Sequence, residues 1–409
     1  MKSLLLKYAL LLIAIVLIIF LFPARHRTSD NEVIFWTLQM SDFSPYMLKV
    51  IKEFEAENPE IKIKWIDVPF SEGEKRTLAS VLSDNPPDLI NLNPDFAALL
   101  AQRGALYEID DKYTTQFNKL VINSLKQNGK LYSLPWYATS AVTIYNKKLL
   151  QKSGAKLPAT YEDIAEIAPV IRAKTNAYVL LPNITENDTM LRILNKYGVN
   201  SPQNINSAQS QEVFDMFKEL YRKNLIPKES ITQTHREALE KYMAENIVFF
   251  QAGANFLTMI KENAPSTYKS TDVAPQITGK LGQNDFSLMN FVIPLRAKHK
   301  EEALKFALFL TNNENQLELA KLANVLAVNE ETLKNDFYKR YDKNDLMSKA
   351  RVISAKQLYN IEPAMKPEKN QKEINTLINT AVQQILINKN TTKNILDDVS
   401  VEYKKLIAD

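Results

Sequence analysis

Flat aromatic faces and short polar side chains are what this chain offers for chemistry. Two strand-like runs, Lys130–Leu134 and Val142–Tyr145, flank Pro135, the adjacent aromatics Trp136 and Tyr137, and the polar pair Thr139 and Ser140. Proline lacks the N–H that a central strand needs, so the chain is expected to bend or change partners at Pro135. An aromatic pair at such a bend suits the flat face of a ligand, because rings add stacking to area burial. The competing reading is a pair of core residues beside a turn. Further polar candidates sit where short apolar strands give way to helices: Gln39 and Asp42 after Val33–Thr37, Asp95 after Asp88–Leu92, and Gln251 and Asn255 at the end of Ile247–Gln251. Ligands of α/β layers collect beyond the C-terminal ends of strands. Gln251 and Asn255 read equally as turn or cap residues, and Asp95 as a helix cap.

Most catalytic chemistries find no support. Cysteine is absent, which removes disulfides, thiolate nucleophiles, Cys–metal sites and lipoprotein attachment. The three histidines, His26, His235 and His299, lie far apart, so no His-rich metal site is expected. Glycine is scarce at 8 residues, and Gly279-x-x-Gly282 alone matches no phosphate-binding fingerprint. There is no G-x-S-x-G nucleophile elbow. The 47 acidic residues leave room for a glycosidase pair, at no recognisable spacing, so a secreted carbohydrate-active enzyme stays as the alternative to a binding protein. The net charge is +4, or +2 without Lys2 and Lys7 of the leader, and no longer Lys/Arg block than two follows. That is no electrostatic footprint for nucleic acid. No cofactor is expected.

The elements that would position the candidates alternate. A length of 409 residues is long for one core, which makes two domains the starting expectation. Residues 1–24 carry Lys2 and Lys7 before fifteen apolar residues, Tyr8 to Phe22. This is a signal peptide or an uncleaved N-terminal membrane anchor, with residues 25–31 as a tether. Either places the rest outside the cytoplasmic membrane. Val33–Thr37 reads as a strand, and Tyr46, Met47, Val50, Ile51 and Phe54 share one helical face. Ile61, Ile63 and Trp65 alternate with lysines as a strand; a helix ends at Asn85-Pro86-Pro87, and Asp88–Leu92 is a third strand. Strand, helix, strand, helix, strand is an α/β layer. The second half repeats the order: Thr160 and Asp163 form a capping box, Ala208–Lys223 is a helix, and Ile247–Gln251 is an apolar strand before a small polar turn and another helix. Ile374, Ile378, Ala381 and Ile385 form a core-facing stripe near the end.

Together these pieces resemble the extracellular solute-binding proteins of ABC importers, in the group that includes maltose-binding protein. The phrases that carry the resemblance are IFWT (Ile34–Thr37), FEAENPEIKI (Phe54–Ile63), NPPDLINL (Asn85–Leu92), GALYEIDD (Gly104–Asp111), GKLYSLPWYATSAVTIYNKKLLQKSG (Gly129–Gly154), LPATYEDI (Leu157–Ile164), ENIVFFQAGANF (Glu245–Phe256) and RAKHKEEALKFALFLTNNENQ (Arg296–Gln316), closed by paired helices at Ile378–Leu406. Against the family pattern, LMNFVIPL (Leu288–Leu295) replaces a small-residue phrase and Asn324-Val-Leu-Ala327 replaces a Gly-x-x-Pro, so ligand identity does not carry over. The resemblance implies a type II periplasmic binding protein fold: α/β, two α/β lobes with a ligand cleft between them. Lobe one would take residues 32–137 and 286–325, lobe two 138–285 and 326–409, with a third crossing near Asn324–Asn329 and the C-terminal helices mainly on lobe two. It also implies capture rather than catalysis. A monomer would bind a small solute in the cleft, close by hinge rotation, and dock on ABC transporter permease subunits. An anchored sensor domain would use the same fold. On this reading the ligand-binding candidates are Trp36, Gln39, Asp42, Asp95, Trp136, Tyr137, Gln251, Asn255 and Asn290. Trp36 reads equally as core at a strand end, and Asn290 rests on position alone. Rings and short polar groups favour a carbohydrate. The cleft-lip stretches carry no arginine for a phosphate or carboxylate, although Arg103, Arg192 or a lysine could reach.

Overall fold

The computed structural model describes residues 32–408 apart from 362–364, 366, 369 and 388–390; the leader and tether read at 1–31 lie outside it. In chain order its strands are β1 (Glu32–Leu38), β2 (Lys62–Val68), β3 (Leu89–Leu92), β4 (Ser133–Thr139), β5 (Val142–Asn146), β6 (Tyr178–Leu180), β7 (Ile247–Ala252), β8 (Thr271–Ala274) and β9 (Ser287–Val292). They form two sheets, ordered β2-β1-β3-β9-β4 and β6-β7-β5-β8. β1 runs parallel to β2 and β3, while β9 is antiparallel to β3 and β4. In the second sheet β6 and β7 are parallel, and β5 is antiparallel to β7 and β8.

Each sheet is buried on both faces, so each half has a core of its own. In β1, Val33 and Phe35 point into a cluster with Phe54, Phe291 and Phe306, while Leu38 joins Ile90, Leu92 and Leu100 on the opposite face. Phe35 meets Phe291 and Phe306 edge-on at ring distances of 5.8 and 5.3 Å, the geometry that the ring quadrupole prefers. In the second half, Val248 and Phe249 pack with Ile164 and Phe217, and Ile144 and Phe250 with Tyr242 and Leu257. The helix Tyr161–Thr175 starts at the expected capping box: Asp163 N–H donates to Thr160 Oγ1 at 3.1 Å, and Thr160 N–H donates to Asp163 Oδ2 at 2.9 Å. The helices Gln371–Ile387 and Thr392–Ala408 place Ile374, Ile378, Ile385, Leu396 and Val399 in the second core. Among the described residues no helix is long and apolar enough to cross a membrane.

The bend at Pro135 is a β-bulge rather than a strand end. β4 runs through it, with Pro135 opposite Asn290 and Tyr137 opposite Met289, so Trp136 is the extra residue. Proline is tolerated there because β4 is the last strand of its sheet and the bulge interrupts the ladder. The chain leaves the first sheet at Thr139 and enters the second at Val142. It returns between Ala274 and Ser287.

The third crossing departs from expectation. Residues Leu326, Ala327, Val328, Leu333 and Tyr338, expected in lobe two, pack in the first core. Leu326 pairs with Ala138 through backbone bonds of 2.9 and 2.8 Å. The segment stays because its apolar side chains complete the core beside β4. The helix Leu346–Gln357 straddles the halves instead, with Ala350 in a second-lobe cluster and Ala355 in the first core.

Candidate functional site

β6 and β7 are parallel neighbours, and a cavity of about 460 Å³ opens beyond their C-terminal ends. Leu180, Leu181 and Pro182 follow β6 into it; Phe249, Phe250 and Gln251 come from β7; Arg192, Ile193 and Lys196 come from the helix Thr189–Asn195 and its C-terminal cap. Ala141, Asp285 and Ser287, at the two strand crossings, supply the side facing the other lobe.

Its apolar wall is built from rings. The His235 imidazole stacks on Phe250 at 4.8 Å and 25°, and meets Phe256 edge-on at 5.0 Å. Burial lowers the pKa of His235, with Glu186 opposing. Glu186 is fixed through one oxygen: Oε2 accepts the His235 backbone N–H at 2.8 Å and Asn183 Nδ2 at 2.7 Å.

The cations of the cavity face carboxylates of the protein. Arg192 Nε donates to Asp188 Oδ2 at 3.1 Å. Burial works against the guanidinium charge, but Asp188, Asp285 and Asp95 outweigh it and raise the Arg192 pKa. Asp95 belongs to the first lobe, so its charge acts on Arg192 at a distance from the other side of the cleft. The Asp95 carboxyl is itself raised, first by desolvation and then by Asp188 and Glu74, with Arg192 opposing. Lys196 Nζ lies 2.7 Å from Gln276 Oε1 and 3.5 Å from Asp285 Oδ2. With both cations held in this way, the site presents hydrogen-bonding capacity without a bare positive charge.

The residues singled out from the sequence scatter around this cavity. Trp136 is fully buried, stacked on Phe291 at 4.7 Å and edge-on to Tyr137 at 5.1 Å. The ligand role expected for it is corrected to a core role, because its ring is wholly enclosed in the first core with Leu134, Ala138 and Phe291. Tyr137 is half-buried against the same core, and burial pushes its phenol up to about 12. Asn290 is also corrected: it is fully buried opposite Pro135 and Leu92, with both amide atoms unpartnered. Trp36 is half-buried beside Ile90 and Leu92, and its indole N–H is buried without a partner. Gln39 and Asp42 are exposed, Gln39 at a left-handed φ of 52° and Asp42 in the turn Ser41–Phe43. Asp95 opens the helix Pro94–Gln102, but the cap is Asn93, whose Oδ1 accepts Phe96 N–H at 2.8 Å. Asn255 is exposed at the start of the helix Phe256–Asn263. Gln251 lines the cavity, with its Oε1 accepting Ile277 N–H at 2.9 Å and its Nε2 donating to Tyr161 Oη at 3.2 Å.

Sequence reasoning passes over Asp188, Lys196, Glu186, His235, Phe250 and Asp285, and names Arg192 only as within reach. The signal is there in weak form: Tyr178–Leu180 is a short apolar strand, followed by a polar run and a helix. A three-residue strand is too short for a periodicity test.

Asn290 has a direct consequence for stability. A buried amide with no partner carries its desolvation cost of about 1–3 kcal/mol uncompensated. Asn290→Leu should therefore raise the unfolding free energy by about 1 kcal/mol or more in urea denaturation. Loss of solute-induced stabilisation in that variant would return Asn290 to the site.

Two sheet-centred lobes, joined by strand crossings, with a cavity at the strand ends of the second beside the crossings, have the architecture of a two-lobed solute-binding protein. The family described as bacterial extracellular solute-binding protein matches residues 39–317, and the chain belongs to that family. The multiple sugar-binding protein of Streptococcus mutans is 27% identical over 313 residues, covering 70% of this chain and 73% of that one. A solved periplasmic-binding protein from Synechococcus sp. superposes with a TM-score of 0.81 at 26% identity, over 92% of this chain and 99% of that one. The maltose-bound MalE3 of T. maritima shares the fold, with a TM-score of 0.68 at 20% identity over 92% of this chain and 100% of that one. The protein is thus an extracytoplasmic solute-binding protein of the ABC-transporter type, from a family of binding proteins rather than enzymes.

Proposed function

We propose that the solute is a carbohydrate, bound in the cavity beyond β6 and β7 and handed to the permease subunits of an ABC importer after the lobes close. The observation that carries this is the pairing of Arg192 with Asp188 and of Lys196 with Asp285 beside the rings of Phe250 and His235. Paired cations and carboxylates offer donors and acceptors to hydroxyl groups, and the rings offer a face to C–H bonds. The volume of about 460 Å³ lies within the range of ordinary small-molecule pockets. A relative named for binding multiple sugars supports the same class. Asp95 reaches Arg192 electrostatically from the other lobe and would become a closing contact; Gln39, Asp42, Trp36, Tyr137 and Asn255 remain candidates only for the closed cleft.

A thermal-shift screen of the protein tests this with maltotriose, chitobiose, mannitol, a phosphorylated polyol and a polyamine. A bound sugar at about 100 times its dissociation constant should stabilise by about 2.7 kcal/mol. Arg192→Ala should weaken binding of the responding sugar by about ten- to a hundredfold, as expected for losing a charged hydrogen bond of about 1.5–3 kcal/mol. A melt that responds only to the phosphorylated polyol or the polyamine would sink the carbohydrate reading. Unchanged affinity in Arg192→Ala would remove that side chain from the site.

A further inference from the structure

A buried lysine joins the cavity to the hinge. Lys196 caps the helix Thr189–Asn195 and lines the cavity, yet its side chain is only 3% exposed. Its Nζ donates to Gln276 Oε1 at 2.7 Å and lies 3.5 Å from Asp285 Oδ2. Gln276 is the centre of a hydrogen-bond network. The same Oε1 accepts the Asp285 backbone N–H at 3.1 Å, and Nε2 donates to Asp285 O at 3.0 Å and to Ser140 Oγ at 3.2 Å. Asp285 lies on the return crossing and Ser140 on the outward one. The third connection enters through Gln357, whose Oε1 accepts Gln276 N–H at 2.8 Å and whose Nε2 donates to Ser140 Oγ at 2.7 Å and Ala141 O at 2.8 Å. Ser354 Oγ donates to Ser140 O at 3.1 Å. Gln276 therefore touches the outward crossing, the return crossing and the helix that straddles the halves, and one ammonium group touches both its amide and the cavity.

We propose that Lys196 is a positioning residue that sets the resting angle between the lobes, by holding Gln276 and Asp285 in register with the two strand crossings, and that a solute entering the cavity is sensed through it. An ammonium has three donors in flexible directions. A solute oxygen arriving beside Nζ competes for the donors that now hold Gln276 and Asp285, and any adjustment of Gln276 falls on the backbone of both crossings. Hinge closure concentrates its φ/ψ change at a few such residues. A solute biases the lobes only by the difference in its interaction with the two arrangements, and this network is where that difference can act. The inference rests on the cavity as the solute site, but its test needs no solute.

The chain has no cysteine, so two introduced thiols can be labelled without background. Arg76→Cys on the first lobe and Lys223→Cys on the second replace side chains that are 53% and 65% exposed. Inter-label distance distributions of the solute-free protein would then be compared for Lys196 and for the variants Lys196→Met and Lys196→Arg. The expected result is a shifted or broadened distribution in Lys196→Met, beyond the spread of replicate preparations, and recovery in Lys196→Arg, which keeps donor and charge. A Lys196→Met protein with a lowered melt but an unchanged distribution overturns the proposal, because a purely structural lysine affects only the melt. Should Lys196→Met fail to fold, Asp285→Asn carries the same measurement: it keeps the side-chain volume while removing the charge that Lys196 faces, and an unchanged distribution there overturns the proposal equally. Because no sugar is present, failure here is separate from failure of the carbohydrate reading, which the thermal-shift screen decides.

Discussion

Trp136→Ala is expected to lower the unfolding free energy by about 3–5 kcal/mol, the range for emptying a large aromatic side chain from a core, while the molecules that remain folded bind solute with unchanged affinity. The indole is fully buried, lies against Phe291 and Tyr137, and shares its cluster with Leu134, Ala138 and Leu288. Its backbone carbonyl accepts from Gln316 Nε2, whose Oε1 in turn accepts Val328 N–H at 2.8 Å. The bulge is thereby tied to the segment after Asn324, and collapse around a truncated side chain is restricted on two sides. Partial collapse is what moderates such losses elsewhere. Urea denaturation gives the stability and titration of the folded fraction gives the affinity. A Trp136→Ala protein with wild-type stability and weakened solute binding would place the ring back in the cleft.

Trp136 also marks how far local sequence reaches. The bend at Pro135 is legible, because it follows from a missing N–H. The direction in which Trp136 points is not legible: it is the extra residue of a bulge, and a bulge breaks the alternation by which strand residues share a face. An aromatic pair beside a bend suggests a ligand role that only the packing overrides. The two-sheet architecture is readable because apolar strands and amphipathic helices recur in both halves. The third crossing is not, since nothing local distinguishes Leu326–Val328 packing on one sheet from packing on the other. The cavity is the least legible part. Its polar groups come from the helix Thr189–Asn195, the Asn183–Asp188 turn and the Asp285 crossing, and only folding brings these together. Asp285 and Arg192 are 93 positions apart in the chain, and neither looks unusual in its own stretch.

The phrases that carry the family resemblance encode scaffold, and Asp88 in NPPDLINL is the sharpest instance. This residue is 3% exposed. Its Oδ2 accepts the Ile34 N–H at 2.9 Å, and its Oδ1 accepts the N–H groups of Lys298 and His299 at 3.0 and 2.9 Å. One carboxylate thus ties β1, β3 and the entry to the helix Lys300–Leu310, where a negative charge also suits the helix N-terminus. It does so at the start of β3, at the opposite end of the strand from the cleft. Asp88→Ala leaves three backbone donors without their acceptor. Each orphaned group costs about 1–3 kcal/mol when water cannot replace the partner. These donors are only partly buried, so a total of about 3 kcal/mol is the expected loss, near the lower end of the sum. Asp88→Asn should fall between wild type and Asp88→Ala, since an amide nitrogen cannot accept and would set a donor against a donor on one side. Solute-induced stabilisation, measured as the increment in melting temperature over each variant's own solute-free melt, should persist in both. An Asp88→Ala protein that melts with wild type would show that solvent satisfies these donors. One that keeps its stability but loses the solute response would mean that the Asp88 tie serves the cleft rather than the frame.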